Sequence, residues 1–403
     1  MLAPALPNSE TEHERNDAAA TSGAPYRFEL VTSRTAFNAL EPAWNDLYER
    51  AGRGSQVFQA FNWNWHWCNH YLADTNDTNV SLAVVTAWRG DRLVLVLPLA
   101  VTRAAGLKQL VWMGEPVSQY GDALVEDGDD ALPLLREAWR FVVGEVQPDL
   151  ANLRKVRDDA AIMPLLAVLP QIKTQELAAP YLDIASAPDF ETYQERYSPR
   201  SRRNRRRLGR RFAERGKTEF ERPQDGARAR ELALAAIDLK RDWLKDRGLV
   251  STALFDPRMA DFFADVAEGA SHPAGCQVSA LMIDGTPAAI EITLKSKDHI
   301  AMHVIVFNLA YEKAGAGVLL LEETIAKSFG NGCRTFDLLS PADGYKVDWA
   351  DAAVGVGDYA VPLSHKGSLY ARVYLGLVRP GIKRALEAMP RSLRRRLTAS
   401  QGG

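Results

Sequence analysis

The chain has 403 residues, a formal net charge of −2, and 46% hydrophobic and 25% charged residues. That length holds two or three ordinary domains, the composition is that of a soluble globular protein, and the near-neutral balance exerts no overall pull toward nucleic acid or anionic membrane. Cys68, Cys276 and Cys333 are scattered and lack ligand spacing, which predicts free thiols in a reducing compartment and no metal site. No apolar run reaches the ~18 residues of a membrane helix. The N-terminus lacks the basic start and apolar core of a secretory signal, so the expected location is the cytoplasm.

Residues 1–25 are polar, Pro- and Ala-rich and aperiodic, and read as a disordered tail. Residues 26–31 read as a first strand and 35–50 as a helix on Phe37, Leu40, Trp44 and Leu47. In the aromatic stretch 58–72, Trp63, Trp65 and Trp67 alternate as in a strand, yet Phe61, Trp65 and Cys68 also fit a helix packed on a sheet, which is the favoured expectation. His66 and His70 stand four apart but have no third ligand nearby, so they do not predict a metal. Alternation over 81–88 and 92–101 around Gly90-Asp91 predicts a hairpin. A third strand follows at 107–113, and Tyr120-Gly121-Asp122 continues its edge. Helices at 132–143 and 160–169 and strands at 151–156 and 181–184 complete an N-terminal unit over 26–186.

Residues 187–270 read as a helical insert. It opens with SPRSRRNRRRLGRRFAERGK, which has ten basic residues between Arg200 and Lys217. These charges fall on all sides, so the helix is expected to stay solvated or to bind phosphates of a nucleic acid or of a phosphate-bearing or acidic glycan acceptor. Only Phe212 interleaves, which makes single-strand recognition by stacking, and nucleic acid generally, the lesser reading. Amphipathic runs follow from Ile237 through Leu244 and over 255–267.

The second unit, 271–370, repeats the order of the first. Strands are predicted at 276–283, 286–295 and 299–307. A loop with Gly315 and Gly317 then runs into a helix marked by Val318, Leu321, Ile325 and Phe329, which Gly330-Asn331-Gly332 ends. A strand at 335–339, Tyr345-Lys346 in the loop after it, and a strand at 354–363 that closes the sheet complete the unit. Residues 371–403 form a basic helix or tail with seven basic residues between Arg379 and Arg396, suited either to the inner membrane surface or to a packed or frayed terminus.

The glycine loop predicts an anion site. Glycines bare the backbone, and the first N–H groups of a helix lack internal partners and sit at its positive end, so a phosphate is held there without a charged side chain. The expectation is that Gly315, Ala316, Gly317 and Val318 cradle the pyrophosphate of an acyl-coenzyme A; the alternative is that the glycines only turn the chain. In the first unit Asp127-Gly128-Asp129-Asp130 precedes the corresponding helix, and three carboxylates would repel a phosphate.

Several short motifs stand in a telling order: Ala288-Ala289, Tyr311, Gly317-Val318-Leu319-Leu320-Leu321, Asp337, and Tyr345-Lys346 with Trp349. With Pro98-Leu99, Trp112-Met113-Gly114, Tyr120-Gly121-Asp122 and Glu214-Arg215-Gly216, they resemble the acetyltransferase-like domain of the Gcn5-related N-acetyltransferase (GNAT) superfamily. More narrowly they resemble its CelD-like group, associated with cellulose and exopolysaccharide biosynthesis and similar in layout to the Fem aminoacyltransferases. The match runs over roughly 26–365, with Gly315-Ala316-Gly317 where relatives commonly have Ser-Pro-Gly. The resemblance implies an α/β (α+β) fold class, two GNAT-like mixed-sheet domains in tandem with a helical insert. It implies transfer of an acetyl or other acyl group from acetyl-CoA or another acyl-CoA to an amine or hydroxyl, on a small molecule or glycan precursor. Two alternatives are a non-catalytic accessory protein of a polysaccharide synthesis complex and a Fem-like aminoacyl-tRNA-dependent transferase.

Acyl transfer from a thioester needs a held donor, a nucleophile, a proton acceptor and a stabiliser for the oxyanion. Glu291, desolvated within IEITL, and His303 on the neighbouring strand are candidate proton acceptors; the alternatives are a carboxylate on a solvated face and a packed histidine. The resemblance to Fem enzymes implies that Lys346 stabilises charge at the reacting carbonyl or a phosphate. Tyr345 would donate to the leaving thiolate, and Asp337 would orient Lys346 or cap the following loop. Trp112, Tyr120 and Asp122 are candidates for an acceptor groove between the units.

Overall fold

The computed structural model describes residues 26–72, 79–249, 251–269 and 273–378. The expected N-terminal tail and the basic run between Arg379 and Arg396 lie outside the described residues. Among the described residues no helix is long and apolar enough to cross a membrane.

The first unit opens with strand β1 (Tyr26–Val31), helices α1 (Arg34–Ala39), α2 (Glu41–Ala51) and α3 (Phe61–Tyr71), then strands β2 (Val80–Leu82), β3 (Val84–Arg89), β4 (Arg92–Leu97), β5 (Leu99–Ala104), β6 (Leu107–Trp112) and β7 (Leu124–Val125). The predicted hairpin is present, but each arm is broken in two. Pro98 has no N–H to give to a ladder, and across it the chain changes sheets. β3 and β4 join a four-stranded sheet ordered β1-β3-β4-β7, while β2 and β5 enter an eleven-stranded one. Helix α4 (Ala131–Val146), strand β8 (Leu150–Arg157), helix α5 (Met163–Leu166) and strand β9 (Ile172–Asp183) follow. β9 is far longer than the predicted 181–184, and α5 shorter than 160–169.

The insert comprises α6 (Phe190–Gln194), α7 (Pro199–Ala213), strand β10 (Thr218–Glu221), α8 (Gly226–Asp246), α9 (Thr252–Phe255) and α10 (Pro257–Glu268). It is not wholly helical, because β10 pairs with β11 and extends the second unit's sheet. That unit consists of β11 (Ala274–Ile283), β12 (Thr286–Ser296), β13 (His299–Phe307), α11 (Ala316–Ser328), β14 (Thr335–Asp337), α12 (Gly344–Trp349) and β15 (Ala352–Pro362).

The expected tandem of two mixed-sheet units holds, with one correction. β15 does not close its own unit. The sheet order is β10-β11-β12-β13-β14-β9-β15-β8-β6-β5-β2. Each unit's last strand therefore crosses to pair antiparallel with the other unit's short parallel strand: β9 with β14, β15 with β8, and β9 with β15 at the centre. The two units thus share one sheet. One buried cluster also spans both and the insert: it contains Trp44, Phe58, Trp63 and Trp67 together with Phe262 and Phe263 of α10, and Trp63 packs edge-on to both phenyl rings. At roughly 1.5–3 kcal/mol per fully buried large side chain, this cluster outweighs the few polar bridges between the units.

One of those bridges nevertheless fixes their register. Asp337, at the end of β14 and wholly buried, accepts from Arg157 Nη1 (2.7 Å) and from the Tyr120 hydroxyl (3.0 and 2.9 Å), both of the first unit. Removing one partner of such a pair leaves the other charged and dry. Asp337→Ala is expected to cost about 3–5 kcal/mol in urea unfolding. The Asp337→Ala/Arg157→Met double variant should cost clearly less than the sum of the two single variants; additive costs would show that the pair does not couple the units.

Candidate active site

β13 is the strand on which the site is built. One edge pairs with β12 out to Phe307. The other pairs with β14 only from His299 to Ala301, because β14 stops at Asp337. An Asx-type turn stops it: the Leu339 N–H bonds back to Asp337 Oδ1 (2.7 Å), and Leu339 takes a left-handed backbone at φ +59°. From Met302 to Phe307 the second edge of β13 has no ladder partner among the described residues. A cavity of about 420 Å³ opens there, between α8 on one face of the sheet and α11 on the other, with α12 across from the strand.

The glycine loop forms one end of this cavity. Gly315 (φ +75°) closes the 3₁₀ turn Leu309–Ala314 and caps α11 without any side-chain acceptor. The first N–H groups of α11 are therefore open, as an anion site requires. A Cβ on Gly315 would come within 2.9 Å of Leu208 of α7, and one on Gly317 within 3.1 Å of Phe307. Gly315, Gly317 and Val318 line the cavity. Ala316 supplies backbone only, since its methyl is buried with Ala289 and Leu320.

Tyr345 and Lys346 line the same cavity, although they lie on α12 and not in a loop. Six residues are too few to show a helical period. Lys346 Nζ donates to the carbonyls of Leu339 (3.0 Å) and Pro341 (3.1 Å), which leaves one of its three donors for a ligand. Burial pushes its pKa down, partly offset by Asp343 and Asp337. Burial likewise raises the Tyr345 hydroxyl, with Asp343 and Glu291 adding to the effect, so it stays a proton donor at neutral pH. His303 faces the cavity from β13 beside Phe58, Trp63 and Phe263. Its Nε2–H donates to the Val117 carbonyl (2.6 Å), so Nδ1 carries the lone pair and has no partner. Burial holds its pKa down to about 4, so that lone pair is free at neutral pH.

The other sequence candidates are elsewhere. Glu291 does not reach the cavity lining. Along β12, Ile290, Ile292 and Leu294 pack in the shared core under α8, so alternation turns Ala289, Glu291 and Thr293 toward α11. The expectation of a solvated face also fails, because Glu291 is fully buried. Asp337 and Tyr120 form the bridge between the units. Asp122 has both oxygens occupied by Gln56 Nε2 and the N–H groups of Ala123, Ala161 and Ile162, so it offers a ligand nothing. Trp112 and Tyr120 line a separate, smaller cavity. Among the described residues no group of His, Cys, Asp and Glu could hold a metal.

Sequence reasoning missed Lys240 and Trp243 of α8, Glu312 and Asp343, which complete the lining. Lys240 lies 4.7 Å above the Trp243 ring, and burial pushes its pKa down. Lys240 and Trp243 are one turn apart on a helix already read as amphipathic, but only the tertiary fold reveals what that face meets. The basic helix α7 is also less solvated than expected. Arg205 is buried, paired with Glu322 of α11 (2.7 Å), and stacked on Tyr197 and Trp349. Leu208 and Phe212 anchor the same face.

The profile of the acetyltransferase (GNAT) domain family matches residues 199–347, the segment that holds α7, α8, the glycine loop and most of α12. Among solved structures, the chain is similar to the crystal structure of FemX at 10% identity, covering 86% of this chain and 99% of that one with a TM-score of 0.59. It is also similar to a conserved protein of unknown function from Bacteroides thetaiotaomicron VPI-5482, at 12% identity, 83% and 100% coverage and a TM-score of 0.50. At these identities the likeness speaks to the fold. No curated protein matches the sequence. Residues 199–347 thus match the acetyltransferase (GNAT) domain family, within a two-unit mixed α/β fold.

Glu291 should report its burial through pH. Burial pushes its pKa from 4.5 up to about 7, only partly offset by the Thr324 hydroxyl and Arg222. Below the unfolded value both states are protonated and nothing is lost. As pH rises toward the folded value the unfolded state ionises first, and stability falls. Glu291→Gln should therefore match the wild type near pH 4.5 and exceed it by about 3 kcal/mol at pH 8, read by chemical denaturation across pH. A pH-independent difference would contradict this assignment.

Proposed function

We propose that this protein transfers an acyl group, in the simplest case acetyl, from coenzyme A to an amine or hydroxyl acceptor. The observation that carries the reading is the cavity's pairing of an uncapped helix N-terminus with an open strand edge. A diphosphate fits the bare N–H groups from Ala316 to Val318, beside the Gly315 turn. An amide-bearing arm fits the free edge of β13 from Met302 to Phe307, adding to it as an extra strand would. The thioester then lies toward Lys346, Tyr345 and His303. The third Lys346 donor stabilises the carbonyl oxygen as charge develops, His303 Nδ1 accepts the acceptor's proton, and the Tyr345 hydroxyl protonates the leaving thiolate. Placement of the acceptor on a glycan of cellulose or exopolysaccharide synthesis rests on the sequence resemblance alone.

A second reading, Fem-like transfer from aminoacyl-tRNA, is favoured by one feature. Arg200, Arg203, Arg206, Arg207, Arg210 and Arg211 are exposed on α7 and make no ion pair among the described residues, while Leu208 of that helix abuts the glycine loop.

Isothermal titration separates the two. Acetyl-CoA is expected to bind the wild type in the micromolar range and to lose measurable binding in Gly317→Glu. Lys346→Met should keep affinity while kcat falls about 10²–10³-fold, as for loss of one oxyanion donor. No binding at millimolar acetyl-CoA, with tRNA binding that fades steeply with salt, would move the function to the second reading.

A further inference from the structure

A second cavity, of about 180 Å³, is lined by Trp112, Glu115, Ser118, Tyr120, Arg154 and Lys155, with Thr252 and Ala253 of α9 at its rim. One hydrogen bond separates it from the donor cavity: His303 lines the larger space and donates to Val117, whose neighbour Ser118 lines the smaller. Its charges are largely spent on one another. Glu115 Oε2 meets Arg154 Nη1 at 3.3 Å, Asp358 Oδ2 lies 3.5 Å from Arg154 Nε, and Lys155 Nζ donates to Ser118 O and Gln119 Oε1. Two buried polar atoms are left without a hydrogen-bond partner: the indole N–H of Trp112, which is only 2% exposed, and Glu115 Oε1. Buried polar groups are almost always satisfied in native proteins, so unmet ones in a cavity mark what the cavity receives.

We infer that this cavity binds a small zwitterion that pairs a carboxylate with an ammonium, of amino-acid size. The unmet Trp112 N–H and the third donor of Lys155 Nζ, whose other two are used, select an anionic acceptor of hydrogen bonds. The unmet oxygen belongs to a carboxylate, which selects a cationic donor. A dry cavity of about 150 Å³ takes a benzene ring, so this one holds a molecule of similar size and excludes an oligosaccharide. The binding claim does not depend on the acyl-donor reading.

The test titrates the full chain with a panel of the standard amino acids, and titrates acetyl-CoA separately. At least one amino acid is expected to bind. Its carboxamide and its N-acetyl derivative should each bind at least about tenfold more weakly. Glu115→Gln, nearly isosteric, should weaken it similarly, as should Trp112→Phe, which removes the N–H together with one ring of the indole, and Ala253→Trp, on the short helix α9 that borders the cavity, should block it. Acetyl-CoA affinity should stay unchanged in all three variants. The proposal is overturned if no amino acid binds the wild type at ~10 mM, if the amide and N-acetyl forms bind equally well, or if Trp112→Phe and Ala253→Trp leave binding intact.

Discussion

A single buried carboxylate decides where this molecule can have a site. Asp337 is fully enclosed. Burial alone would raise its pKa, but His299, Arg157 and the Leu339 N–H outweigh that and hold it below the usual carboxylate range. A buried charge of this kind survives only when its lone pairs are filled. Filling them has two consequences. Arg157 and Tyr120 must come from the first unit, which fixes the second unit's register against it. The Leu339 N–H must fold back, which ends β14 after three residues. The strand beside it then runs on with an open edge, and the cavity follows from that open edge.

The exchange of last strands works to the same end. With β9 against β14 and β15 against β8, neither unit can shift without breaking the sheet of the other. The units are nevertheless unequal in what they offer a ligand. In the second, α11 begins at an uncapped glycine beside the open strand. In the first, the space at the start of α4 is lined by Asp127, Asp158 and Asp159, a poor seat for a phosphate. One scaffold repeated twice therefore offers a helix start suited to a phosphate in one unit and not in the other, by local residue chemistry and not by topology.

Much of this was legible in the sequence because its signals are local. Period-two strands, the Gly315–Gly317 loop, the helix after it and the Tyr345-Lys346 pair each show within a dozen residues, and the fold gathers most of them around one cavity. What was not legible depends on distant contacts. Alternation in IEITL cannot say which face is open when helices cover both, so Glu291 went to the wrong side. The crossing of β9 and β15 leaves no trace in either strand's own pattern. Lys240, on a helix read only for its apolar stripe, acquires meaning from β13, some sixty residues on. The charges of α7 suggested full solvation because a buried arginine stacked on two aromatic rings cannot be told from an exposed one by spacing.

The central claim is that an acyl-coenzyme A lies along the open edge of β13 with its phosphates at the start of α11. Amide hydrogen exchange with and without saturating acetyl-CoA tests it most directly, since unpaired edge amides exchange freely until a ligand bonds them. The account requires slowed exchange in peptides covering residues 302–307 and 315–319, with little change in β1 to β7. Protection absent from both segments while acetyl-CoA is bound, or confined to the first unit, would contradict it.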